Sequence, residues 1–153
     1  MPSEFRRLIP KNIYDIYFNL TTEDRIAILQ SVLEKNHFNS AMDAVSFIKK
    51  RRPVLGKKLE ELVNEISESI EGLYNDSKLF LKSFSQHLID TFPDKEEAIN
   101  FERYKSFQKK FIKKFKTLPD YIQNEIKEAL PYIQLVTDKN AMKDMINYLI
   151  VDN

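Results

Sequence analysis

The chain has no cysteine and no tryptophan, and among its 153 residues only two are glycine and six proline. Each scarcity excludes something. Without cysteine there is no disulfide framework, no thiol nucleophile and no thiolate metal site. Gly56 and Gly72 are too few and too far apart for a glycine-rich loop that cradles phosphate, and no serine sits in a GxSxG elbow. The two histidines, His37 and His87, are fifty positions apart, with no HExxH spacing and no clustered carboxylates beside them. Neither a catalytic residue, a metal site nor a cofactor is therefore expected, and His87 reads as an ordinary histidine at the edge of a helix's apolar face. No segment approaches 18 consecutive apolar residues, the length that suggests a membrane span. The opening residues, MPSEFRRLIPKN, show no apolar run of the signal-peptide kind, so the expectation is a soluble, cytoplasmic protein, or a secreted one if the chain is a processed form. One-sided charge is missing too. Twenty-four basic residues nearly balance twenty-three acidic ones, which leaves no global field for nucleic acid and makes basic character a local matter.

What remains is helix-forming material. Lysine, glutamate, leucine, isoleucine and phenylalanine are abundant, and no segment alternates with period two for long enough to make a strand. Pro10 opens a first helix through Ile13, Tyr14, Ile16, Tyr17 and Phe18. Thr21 caps a second, with Asp24 three residues on as in a capping box, and Ser40 with Asp43 starts a third. Pro53 begins the longest helix, where Leu55, Leu59, Leu62, Val63, Ile66, Ile70 and Leu73 share one face, and Gly72 with Asn75 and Asp76 marks its end. A helix from about Ser77 to Phe92 stops at Pro93, and Asp94 with Glu97 caps the next. Leu118-Pro119 breaks that one and starts a shorter helix, and a last helix is expected near Asn140 to Ile150. The length suits one domain, residues 1–153, and the pattern an all-α, irregular bundle of about eight or more helices.

The stretch Phe101 to Leu118, FERYKSFQKKFIKKFKTL, carries the densest aromatic stripe and the densest basic face together. At about 100° per residue, Phe101, Tyr104, Phe107, Phe111, Ile112, Phe115 and Leu118 fall within an arc of roughly 140°. Gln108 is the polar residue inside that arc, Lys105 and Lys114 stand at its edges, and lysines fill the far side. Base stacking needs aromatics and cations on one exposed face, so this opposition argues against nucleic acid. It suits a core helix with a solvated outer side, or a helix resting on an anionic membrane. The run Lys49-Lys50-Arg51-Arg52 reads as positive charge complementing a helix C-terminus, with nuclear import as the other reading. Thr21-Thr22-Glu23-Asp24 reads as a helix start and also as an acidic-directed phosphorylation motif on Thr21.

The order of these segments resembles the nematode fatty acid- and retinol-binding proteins. The residues that carry the likeness are Leu8-Ile9-Pro10, IYDIYFNL from Ile13 to Leu20, Thr21-Thr22-Glu23-Asp24, SFIKKRRPVLGK from Ser46 to Lys57, and Leu118-Pro119 with Ala129-Leu130-Pro131. The resemblance covers about Glu4 to Leu149. It implies a non-enzymatic helical carrier with an internal apolar cavity for long-chain fatty acids and retinoids, in a family whose members are typically secreted, and it matches the phosphorylation motif at Thr21 to one common there. On that footing Leu62, Ile66, Ile70 and Leu73 are expected on one cavity wall and Tyr104, Phe107, Phe111 and Phe115 on the other. Gln108, or Lys105 or Lys114 at the rim, meets the head group, because an unpaired carboxylate is costly to bury. Fatty acids and retinol are the expected partners, with transient contact with anionic membranes; the protein is expected to be a monomer or weak dimer. The residues by themselves leave open a second class, a helical interaction or membrane-surface module that works through its basic faces.

Overall fold

The computed structural model describes residues 10–91 and 101–134. Among them are seven α-helices, two single 3-10 turns and no strand, as expected of an all-α chain. The helices are α1 (Lys11–Phe18), α2 (Thr22–Leu33), α3 (Ala41–Arg51), α4 (Pro53–Glu71), α5 (Asn75–Thr91), α6 (Phe101–Lys116) and α7 (Asp120–Ala129). The expected Asp94/Glu97 cap and the helix near Asn140 to Ile150 lie outside the described residues.

Local chemistry sets most of the helix starts. The Thr21 hydroxyl accepts from the Asp24 amide and the Asp24 carboxylate accepts from the Thr21 amide, both at 3.1 Å, which completes the capping box of α2. The Ser40 hydroxyl accepts from the Asp43 amide at 3.2 Å at the start of α3. Proline 53 is the first residue of α4, and the residue before it is driven out of the helical region. Arg52, at φ −134° and ψ 83°, is thus the single residue between α3 and α4 and turns a tight corner. Its guanidinium reaches Asp24 at 2.6 Å, so three helices are tied at one point. The start of α5 differs from expectation. Asn75 and Asp76 open that helix instead of closing α4, because Glu125 of α7 accepts from the Tyr74 amide and from the buried Ser77 hydroxyl. This cap crosses about fifty residues of chain and has no local signature.

Two apolar clusters result, and α4 belongs to both. Its first turns place Leu55 and Leu59 with Ala27 and Ile48 of α2 and α3. Its last turns pack Ile66 and Ile70, with Leu73 just beyond them, against a cluster of Phe80 and Leu81 of α5, Phe107, Phe111 and Phe115 of α6, and Ile122 and Ile126 of α7. Ile122 and Ile126 have no exposed surface, so this second cluster is the deeper one. The longest helix thus contributes to both clusters.

Candidate functional site

The site is the seam between α5 and α6. Phe80, Ser83, Phe84, His87 and Asp90 recur at helical spacing along one face of α5. From α6 come Arg103, Ser106, Phe107, Lys110, Phe111 and Lys114, again one face. Between them is a half-open cleft of about 440 Å³, within the usual range for small-molecule sites. Four phenylalanines form the floor. The rings of Phe84 and Phe111 are 4.2 Å apart, those of Phe84 and Phe107 5.4 Å, and those of Phe80 and Phe111 5.1 Å. Such tilted contacts hold the rings in fixed orientations and keep the floor apolar.

The rim is polar, with two serines, a histidine and Asp90 beside Arg103, Lys110 and Lys114. Lys114 Nζ donates to the Ser83 hydroxyl at 3.2 Å, a neutral partner that leaves its charge uncompensated. His87 Nδ1 lies 2.6 Å from the Ser83 carbonyl oxygen, which can only accept, so that nitrogen is the donor. Neither Lys110 nor Lys114 has a carboxylate partner among the described residues. Lys110 and Lys114 thus stand with one carboxylate, Asp90, around an aromatic floor, and Arg103 also lines the cleft. Among the described residues no group of histidine, aspartate and glutamate is placed to hold a metal ion.

The structure gathers some of the expected site residues and disperses others. Phe107, Phe111 and Lys114 line the cleft. Phe115 is buried one turn further along, 5.7 Å from Phe80, with the Lys127 ammonium over its ring at 5.7 Å. Ile66, Ile70 and Leu73 pack behind the aromatic cluster and not across the cleft from it, and Leu62 is half-buried further up α4. Gln108 is half-buried, and its amide nitrogen has no hydrogen-bond partner among the described residues. Lys105 pairs with Glu102 at 3.2 Å on the solvent side. The side chain of Tyr104 lies outside the described set. Sequence reasoning missed the whole α5 wall, together with Arg103, Ser106 and Lys110. The available signal was on α5 itself, where Ser83, His87 and Asp90 follow the Phe80 and Phe84 stripe at three- and four-residue steps.

The basic run at the end of α3 is largely engaged within the chain. Lys49 pairs with Glu60 at 2.6 Å, Arg51 lies 3.6 Å over the Phe47 ring, and Arg52 holds Asp24. Thr21 is exposed, and besides its capping bond its hydroxyl accepts from Arg52 at 3.4 Å. The Arg52 hydrogen bond, and then the bond from the Thr21 amide, hold the Asp24 carboxyl below its ordinary value.

Among the described residues the frame is all-helical and carries an aromatic cleft with cations on its rim. The chain belongs to the nematode fatty acid retinoid binding protein family, whose profile, Gp-FAR-1, matches residues 3–149. It is similar to the fatty-acid and retinol-binding protein 1 of Onchocerca volvulus, at 24% identity over 153 residues, covering all of this chain and 86% of that protein. The protein of the same name from Brugia malayi is 23% identical over 143 residues, covering 94% of this chain and 80% of the relative. Among solved structures, the fatty acid and retinol binding protein Na-FAR-1 from Necator americanus shares the fold, with a TM-score of 0.70 at 20% identity and 94% of each chain covered.

Proposed function

We propose that this protein binds and carries long-chain fatty acids and retinoids without catalysing a reaction on them, and that the α5–α6 cleft is where the ligand lies. The observation that carries the proposal is the pairing of a four-phenylalanine floor with a cationic rim in one cleft. Family membership and the names of the relatives support it. Each methylene moved from water onto such a floor contributes about 0.8 kcal/mol, so ten contribute about 8 kcal/mol before the cost of association, which removes several. The carboxylate stays at the rim, where lysines meet it and water still reaches it, and the large desolvation cost of a buried charge is avoided.

Titration of purified protein with a fluorescent fatty acid tests this. Saturable binding that oleate displaces is expected; a signal that does not saturate, or that oleate leaves unchanged, removes the carrier reading. Native mass spectrometry of the same preparation reports co-purified lipid and subunit number together. A second reading rests on a separate observation, the row of exposed lysines at 105, 109, 110, 113, 114 and 116 along α6. In that reading α6 also rests on anionic membranes while ligand is exchanged. Charge reversal at Lys109, Lys110 and Lys113 then slows ligand transfer to anionic vesicles, and an unchanged rate excludes the contact.

A further inference from the structure

The cleft is not in the middle of the aromatic arc of α6. It lies where that arc meets the basic face, so its lining changes from phenylalanine to lysine within one turn. On α6, Phe107 is followed at three and seven residues by Lys110 and Lys114, and Phe111 lies between them. Opposite, α5 supplies a hydroxyl and a ring nitrogen at Ser83 and His87, and one carboxylate, Asp90. The Lys114 ammonium is held against the cleft wall by a neutral hydroxyl, and Asp90 accepts a hydrogen bond from the Gln86 amide at 3.4 Å. A neutral alcohol finds hydrogen-bond donors here but nothing that uses the excess positive charge. A carboxylate finds two lysines whose charges are uncompensated among the described residues, beside an apolar floor for its chain.

We infer that this rim makes the cleft selective for acid-headed amphiphiles, so that retinoic acid and fatty acids bind more tightly than retinol, with Lys110 and Lys114 as the selecting residues. The inference rests on the proposed carrier function and adds the ligand's head-group class to it. Retinol and retinoic acid share one hydrocarbon skeleton, so their difference in affinity isolates the head group. A charge-assisted hydrogen bond in a half-open cleft, discounted for solvent screening, corresponds to about a tenfold preference for the acid.

The test compares the dissociation constants of retinol and retinoic acid, from quenching of the protein's tyrosine fluorescence, for the parent and for Lys110→Gln, Lys114→Gln and the double variant. Glutamine keeps part of the stem that covers apolar surface, and the retinol affinity of each variant reports whether the cleft is intact. The parent is expected to prefer the acid about tenfold, and in the double variant the ratio of the two dissociation constants is expected to fall most of the way to one. Raising salt from about 0.01 M to about 0.15 M shortens the Debye length from about 30 Å to about 8 Å and is expected to weaken the acid alone. Equal affinity of the parent for acid and alcohol overturns the inference and leaves the carrier function standing. So does a preference that survives in the double variant. If the parent binds neither retinoid nor a fatty acid, the carrier function and the inference fall together.

Discussion

Replacing Gly56 by alanine tests the corner on which half the bundle turns. Gly56 is buried one helical turn after Arg52, and Lys49 sits almost one turn before it, so the α3–α4 corner brings these two backbones together. A β-carbon at Gly56 would stand 2.4 Å from both the α- and β-carbons of Lys49 and 2.8 Å from its γ-carbon. Carbon atoms pack at about 3.5–4.0 Å, so the helices must separate by about 1 Å, and because one obstacle is backbone no rotamer change relieves it. Separation also loosens Leu55 and Ile48, which meet in the cluster beneath the corner. Overpacking of this kind costs about 1–3 kcal/mol, with the upper end expected against backbone. Alanine returns about 0.8–1.0 kcal/mol of helix propensity over glycine. The net expectation is a loss of about 1–2 kcal/mol, read as a lower urea midpoint at unchanged slope. Gly72 is the internal control. It has φ −83° and nothing within 4 Å of its missing β-carbon, so Gly72→Ala is expected to be neutral or to stabilise by up to about 1 kcal/mol. Stability of Gly56→Ala equal to or above the parent would refute the close approach of α3 and α4.

Three further outcomes follow from the same contacts. Thr21→Ala removes the capping oxygen of α2 and is expected to cost about 1 kcal/mol in urea unfolding, with Thr21→Ser restoring most of it. Asp24 is held below its ordinary value of 3.8 by Arg52 and by the Thr21 amide. Its folded-state pKa is thus lower than its unfolded one, and on acidification the unfolded chain takes up the proton first. Its contribution is therefore complete above the unfolded value and is lost as pH falls through the folded one, so Asp24→Asn should flatten the decline of the urea midpoint from about pH 5 to about pH 2. Glu125→Ala leaves the Tyr74 amide and the buried Ser77 hydroxyl without their acceptor. An expected loss of about 1–3 kcal/mol follows, with earlier amide hydrogen exchange confined to the first turn of α5.

Helix starts were legible in the sequence wherever the cause is local. Thr21 with Asp24, Ser40 with Asp43, Pro53 and Pro119 each act within one turn, and the observed helices begin beside them. The start of α5 was not legible, because its acceptor, Glu125, comes from a helix about fifty residues later. Gly56 shows the same limit from another side. Its position in the pattern of α4 is unremarked by periodicity, and only the corner at Arg52 shows why no side chain fits there.

The site follows the same division. A hydrophobic stripe tells which face of a helix leaves water, and the described residues of the stripes on α4 and α6 are buried or half-buried. It does not tell which stripe meets which. Leu73, Ile70 and Ile66 support the aromatic cluster from behind, while Phe80 and Phe84 of α5 meet Phe107 and Phe111 directly. Pairing α6 with α5 also moves the concavity from the centre of the aromatic arc to its edge. The centre of that arc carries no charged residue. At the edge, the same helix would offer Phe107 and Phe111 to a chain and Lys110 and Lys114 to an anion, which is the arrangement the proposed carrier function requires.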